Sequence, residues 1–185
     1  MFNMSSIKLG PLPKVLLLLG PWGVGILLGG IIQQTNESMK ADTFLLIWAL
    51  VTVVGLTGQA LAMCNGLERN FLVWVGLIAL AWAFTFYVFR VSSDPTLFAH
   101  LGPVWLALMG IGFIFTAFQV SQWFWLLAGV HLFLALVMEL AARDVLKSEF
   151  LVSNQPLLVG VVDGGLTLIA AIIGLIQYFR PARAN

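Results

Sequence analysis

Six apolar stretches, each about as long as a bilayer core is thick, leave this chain little choice of fold. A helix rises ~1.5 Å per residue, so ~20 apolar residues cross the hydrocarbon. Runs of that length cover residues 14–34, 43–64, 71–89, 97–119, 122–142 and 156–179. Short polar connections separate them: "TNESMKAD", "NGLERN", "RVSSDP", "VS" and "ARDVLKSEFLVSN". The chain is 61% hydrophobic and 9% charged, against about 25% charged in an ordinary soluble domain. Its solvent must therefore be lipid. The expected fold is all-α: one transmembrane domain over residues 1–185, a polytopic bundle of six membrane helices with both termini on one face. The first run lacks the small-residue cleavage pattern of a signal peptide, so it reads as a retained helix.

The same composition excludes several classes of function. A net charge of +1 supplies no basic stripe for nucleic acid. Cys64 is the single cysteine, so neither an intramolecular disulfide nor a cysteine metal cluster is expected. The chain has no HExxH, GxSxG or Walker loop, and no nucleophile–base pair is legible. The expectation is a protein without catalytic residues, metal or cofactor. Lys8, Lys14, Arg69, Arg180 and Arg183 fall on the terminal face, against Lys40, Arg90, Arg143 and Lys147 opposite. That slight excess places the termini in the cytoplasm, with the chain in the cytoplasmic (inner) membrane.

The two halves of the chain align. "LGPW" at Leu19 falls on "LGPV" at Leu101, "QALA" at Gln59 on "ELAA" at Glu139, and "LERNFLV" at Leu67 on "LKSEFLV" at Leu146. "YVFR" ending at Arg90 falls on "YFR" ending at Arg180. The matches keep their order, and the offset lengthens only after the longer loop before the sixth run. Three spans per half is an odd number, so the second copy enters the membrane from the opposite side. Such 3+3 inverted repeats, with broken helices at the binding site, mark secondary transporters. Pro21 and Pro103 are then expected to be paired kinks in helices one and four. Gln59, the mate of Glu139, joins them on the expected substrate pathway. The many glycines of helices one, two, four and six imply close helix packing.

Ionisable residues inside membrane spans are expensive and tend to be functional. Here they are His100, His131, Glu139 and Asp163. At ~1.5 Å per residue, His100 and Glu139 lie about 5 Å from their helix ends, and Asp163 about 10 Å. In antiparallel neighbours these three reach the face opposite the termini. They form an expected polar, proton-linked entrance, because a histidine beside two carboxyls exchanges protons near neutral pH. His131 lies at another depth than His100, so the two are not expected to ligate one haem. It reads as a polar contact between helices.

Six spans with short loops resemble the acetate/succinate uptake transporters of the YaaH type. The residues that carry the likeness are "LLGPWGVGILL" at Leu18–Leu28 and "GLTGQALAMCNGLERNF" at Gly55–Phe71. The family's Asn-Pro-Ala-Pro entrance is missing; "GPLPK" stands at Gly10–Lys14 instead, and "FTAFQ" at Phe115–Gln119 replaces its Phe-Phe-Gly stretch. The resemblance implies a channel-like bundle that forms a hexamer, with Gln59 in the permeation path.

The expected function is a small transporter or channel for a weak organic acid or small neutral solute. Its expected partners are the lipid bilayer, that solute and further copies of the chain. Two other classes share the composition: a non-transporting accessory or stress-response protein, and a haem- or quinone-linked redox subunit.

Overall fold

The structure, a computed structural model, describes residues 11–36, 39–63 and 68–179. Its helices are α1 (Pro11–Thr35), α2 (Ala41–Met63), α3 (Glu68–Phe86), α4 (Leu101–Gln119), α5 (Phe124–Ala142), α6 (Glu149–Ser153), α7 (Gln155–Val159) and α8 (Gly165–Phe179). A π turn at Tyr87–Val91 lengthens α3, and a 3₁₀ turn at Pro95–His100 leads into α4. A second π turn, Gly160–Gly164, joins α7 to α8, and the three together make the sixth span. The described residues hold six helical runs long and apolar enough to cross a membrane, so the chain is an integral membrane protein. Leu46, Leu50 and Val53 of α2 and Leu80 of α3 are exposed, which costs little when the solvent is hydrocarbon.

Two helices organise the bundle. α1 packs between α2 and the sixth span, and α4 packs between α3 and α5. The seam between α1 and the sixth span is built on glycine. Gly160 lies so near Gly30 that a Cβ on residue 160 would stand 3.0 Å from the Gly30 Cα. A Cβ on Gly164 would stand 2.5 Å from the Leu27 nitrogen. Small residues at such crossings let backbones meet where lipid offers no hydrophobic drive.

The two prolines stand at different places in their helices. Pro21 lies inside an unbroken α1. Pro103 lies in the first turn of α4, where a missing N–H costs little. The discontinuity in the fourth span is the change from 3₁₀ to α geometry at His100–Leu101. A proline inside a helix leaves the carbonyl four residues earlier without its α-helical donor. Ahead of Pro103, the Ala99 carbonyl of the 3₁₀ turn accepts from Gln155 Nε2 at 2.6 Å. For Pro21 the carbonyl left free is Leu17, and Gly58 of α2 approaches so closely that a Cβ there would stand 2.4 Å from the Leu17 oxygen. Weak Cα–H···O contact is available to that oxygen.

Gln155→Leu therefore removes a donor rather than only a side chain. With that hydrogen bond lost, a destabilisation of about 0.5–1.5 kcal/mol is expected. A lower melting temperature of the purified protein in detergent checks it; an unchanged midpoint contradicts the role given to Gln155.

At the mouth of the fourth span, Asp94 caps the 3₁₀ turn by accepting from the Thr96 amide at 2.9 Å and its hydroxyl at 2.7 Å. These hydrogen bonds to Thr96 hold the Asp94 carboxyl below its ordinary pKa.

Candidate functional site

A cavity of about 450 Å³ descends into the bundle from the face opposite the start of α1. Its rim comes from helix ends: Gln33, Phe44, Phe89, Pro95, Phe98 and Ser153. Phe89 stacks on Phe44 with ring centroids 4.7 Å apart and meets Phe98 edge-on at 5.0 Å. Beside the rim, Arg90 pairs with Asp42, joining the end of the third span to the start of α2.

Below the rim the wall is a chain of indoles and threonines. Trp48 Nε1 donates to Gln33 Oε1 at 3.2 Å, Trp82 Nε1 to Thr52 Oγ1 at 3.0 Å, and Trp105 Nε1 to Thr85 Oγ1 at 3.0 Å. Thr52 and Thr85 each donate their own hydroxyl proton to the carbonyl four residues back, Trp48 and Ala81. Their lone pairs are thereby left for the indoles. This chain runs through α1, α2, α3 and α4. It fixes the tryptophan planes, with the rings of Trp82 and Trp105 edge-on at 6.1 Å.

The floor is polar. Asp163, held in the π turn of the sixth span, lines the cavity and is 3% exposed. π turns inside helices recur at functional sites, because the extra residue re-aims side chains. Asp163 Oδ1 lies 2.8 Å from Nε2 of His131 on α5, which is fully buried. The Thr167 hydroxyl donates to the same oxygen at 3.5 Å. On the far side of the ring, His131 Nδ1 lies 2.7 Å from the Leu127 carbonyl. A carbonyl only accepts, so this contact assigns a hydrogen to Nδ1. One more proton then joins Nε2 to Oδ1. Whether drawn as imidazolium with carboxylate or as imidazole with carboxylic acid, the unit has zero net charge. That is the state a low-dielectric interior favours.

Trp22, Ile26, Met109 and Asp163 form a septum beneath the cavity. On its other side is a void of about 10 Å³, bordered by Gln59, Thr116 and Thr167. Thr116 there accepts from Asn70 Nδ2 at 3.2 Å and from Trp74 Nε1 at 3.0 Å.

Of the residues expected at an entrance, the structure joins two and separates the third. His100 Nδ1 meets Glu139 Oε2 at 2.8 Å, and Arg143 Nε donates to Glu139 Oε1 at 2.6 Å. This cluster ties the 3₁₀ turn to α5 and lines neither the cavity nor the void. Asp163 is paired deeper, with His131. Pro21 and Pro103 line neither space, although their neighbours Trp22 and Gly102 line the cavity. Gln59 borders the void. His100 and His131 do not converge, since each holds a different acid.

The His131–Asp163 pair escaped the sequence reading: His131 lies 11 residues before the end of α5 and Asp163 8 residues after the start of α7, so counting residues does not bring the two level. No family model, no curated protein and no solved structure matches this chain.

Proposed function

We propose that the chain is a small transporter or channel for a small neutral solute, taking a weak organic acid only in its protonated form. The observation that carries this reading is the cavity itself. Its described lining contains no lysine, arginine or histidine, and its one acid, Asp163, belongs to a pair of zero net charge. An anion would meet no compensating cation, and desolvating it against an aromatic wall is costly. A neutral molecule meets indole faces and then a hydrogen-bonding floor. The resemblance to acetate/succinate transporters is compatible with this if the acid enters protonated.

The pattern of helix neighbours supports an inverted repeat as part of this proposal. Exchanging α1 with α4, α2 with α5 and α3 with the sixth span turns the neighbours of α1 into those of α4. Gly58 packs on Pro21, and its mate Met138 packs on Gly102, next to Pro103. The two contacts fall one residue apart in the alignment, since Gly102 is the mate of Gly20 and not of Pro21. Superposition of the halves by a half-turn about an axis in the membrane plane is the geometric check.

The functional test is flux into proteoliposomes. Small amides, polyols and protonated monocarboxylic acids are expected to enter faster than into protein-free vesicles, while inorganic anions and cations are not. Failure of every solute to exceed the protein-free rate removes the transport reading and leaves an accessory role.

A further inference from the structure

Among the described residues, two buried polar side-chain atoms have no partner: the indole Nε1 of Trp22 and the side-chain oxygen Oε1 of Gln59. Both residues are deeply buried, at 5% and 3% exposure. The other indoles around the interior, those of Trp48, Trp74, Trp82 and Trp105, all donate to side chains. Leaving a buried donor or acceptor unmade costs about 1–3 kcal/mol, so each such group calls for an explanation. Here one is a donor, the other is an acceptor, and both residues border the same void. Its volume, about 10 Å³, is the lower limit for one water molecule.

We infer that this void is a binding station for one water-sized, neutral hydrogen-bonding group, filled by water at rest. The water oxygen accepts from Trp22 Nε1–H, and one of its hydrogens is donated to Gln59 Oε1. Both orphaned atoms are thereby satisfied by a single molecule. The position gives the station a further meaning that rests on the transport reading. It lies just beyond the septum of Trp22, Ile26, Met109 and Asp163, so a solute leaving the cavity toward the other face exchanges the Asp163–His131 floor for Trp22 and Gln59. The permeant's own hydroxyl, carbonyl or amide group then takes the place of the water.

The water is tested in the unaltered protein by NMR in detergent. The Trp22 indole proton, assigned through its own side-chain correlations, is expected to show cross-relaxation to a long-lived water; absence of that signal overturns the station. Thermal unfolding of Trp22→Phe, Gln59→Leu and the double variant gives a second readout. If one water bridges both groups, each single variant melts below the parent, and the double variant melts no lower than the worse single. If the void is dry, Gln59→Leu removes an orphaned polar atom at nearly constant volume and melts at or above the parent, which overturns the proposal. Solute flux separates this claim from the one it rests on. Gln59→Leu is expected to slow flux by about tenfold, corresponding to the ~1.4 kcal/mol of one hydrogen bond. A parental protein without flux sinks the transport reading while the water signal stands. Flux without the water signal sinks the station and leaves transport standing.

Discussion

Asp163→Leu is expected to lower solute flux by at least about tenfold and to lower the melting temperature as well. The substitution takes away the partner of Nε2 on the fully buried His131 ring. An orphaned buried nitrogen costs about 1–3 kcal/mol, and the cavity floor loses its polar surface. Asp163→Asn is the informative contrast. Its amide donates to Nε2 while Nδ1–H stays on the Leu127 carbonyl, so the side chains remain satisfied and uncharged. The asparagine variant is therefore expected to melt near the parent and to keep most of its flux of neutral solutes. Flux measured in proteoliposomes beside melting in detergent decides the matter. Equal flux through the leucine variant would mean that solutes do not reach this floor.

The second large effect is a contrast between adjacent glycines. Gly164→Ala places a methyl 2.5 Å from the Leu27 nitrogen and 2.9 Å from the Gly23 carbonyl oxygen, both backbone atoms that cannot step aside. α1 and the sixth span must separate, and overpacking of this kind costs about 1–3 kcal/mol. Gly165→Ala meets nothing within 4 Å and replaces the weaker helix former, so it is expected to be neutral or stabilising by up to ~1 kcal/mol. Melting curves of the two variants, side by side, test whether the seam is the closed contact described. The same separation moves Trp22 and Ile26 away from Asp163, so the alanine at 164 is also expected to impair the septum.

The membrane class and the six spans were legible because a bilayer imposes a length on hydrophobic runs and forbids exposed backbone. What happens within a span was not. The fourth and sixth spans are apolar nearly all round, so no stripe of polar residues discloses where geometry changes from 3₁₀ to α or where a π turn inserts a residue. Short α6 was hidden for a different reason: "SEFLVS" reads as loop until Ser148 is seen to cap it through the Leu151 amide. Among the polar residues, Glu139 and Asp163 were conspicuous as charges in lipid, and His100 lies near its helix end as counted. Their grouping was not recoverable from depth alone, because depth fixes height in the membrane but not the side of the helix. His131 faces Asp163, while His100 faces Glu139. The indole–threonine chain left still less trace. Trp48, Thr52, Trp82, Thr85 and Trp105 are spread over three helices, and only their assembly shows that each threonine serves an indole.

The pair at the cavity floor has an electrical consequence. A full charge at that depth would do work in the transmembrane voltage, on the scale of ~2.3 kcal/mol for each elementary charge carried across 100 mV. His131 and Asp163 together present a dipole and no monopole. Under the proposed transport reading, an uncharged molecule passing over them moves nothing that the voltage can pull, so its flux is expected to follow the concentration gradient and to be silent to an electrode.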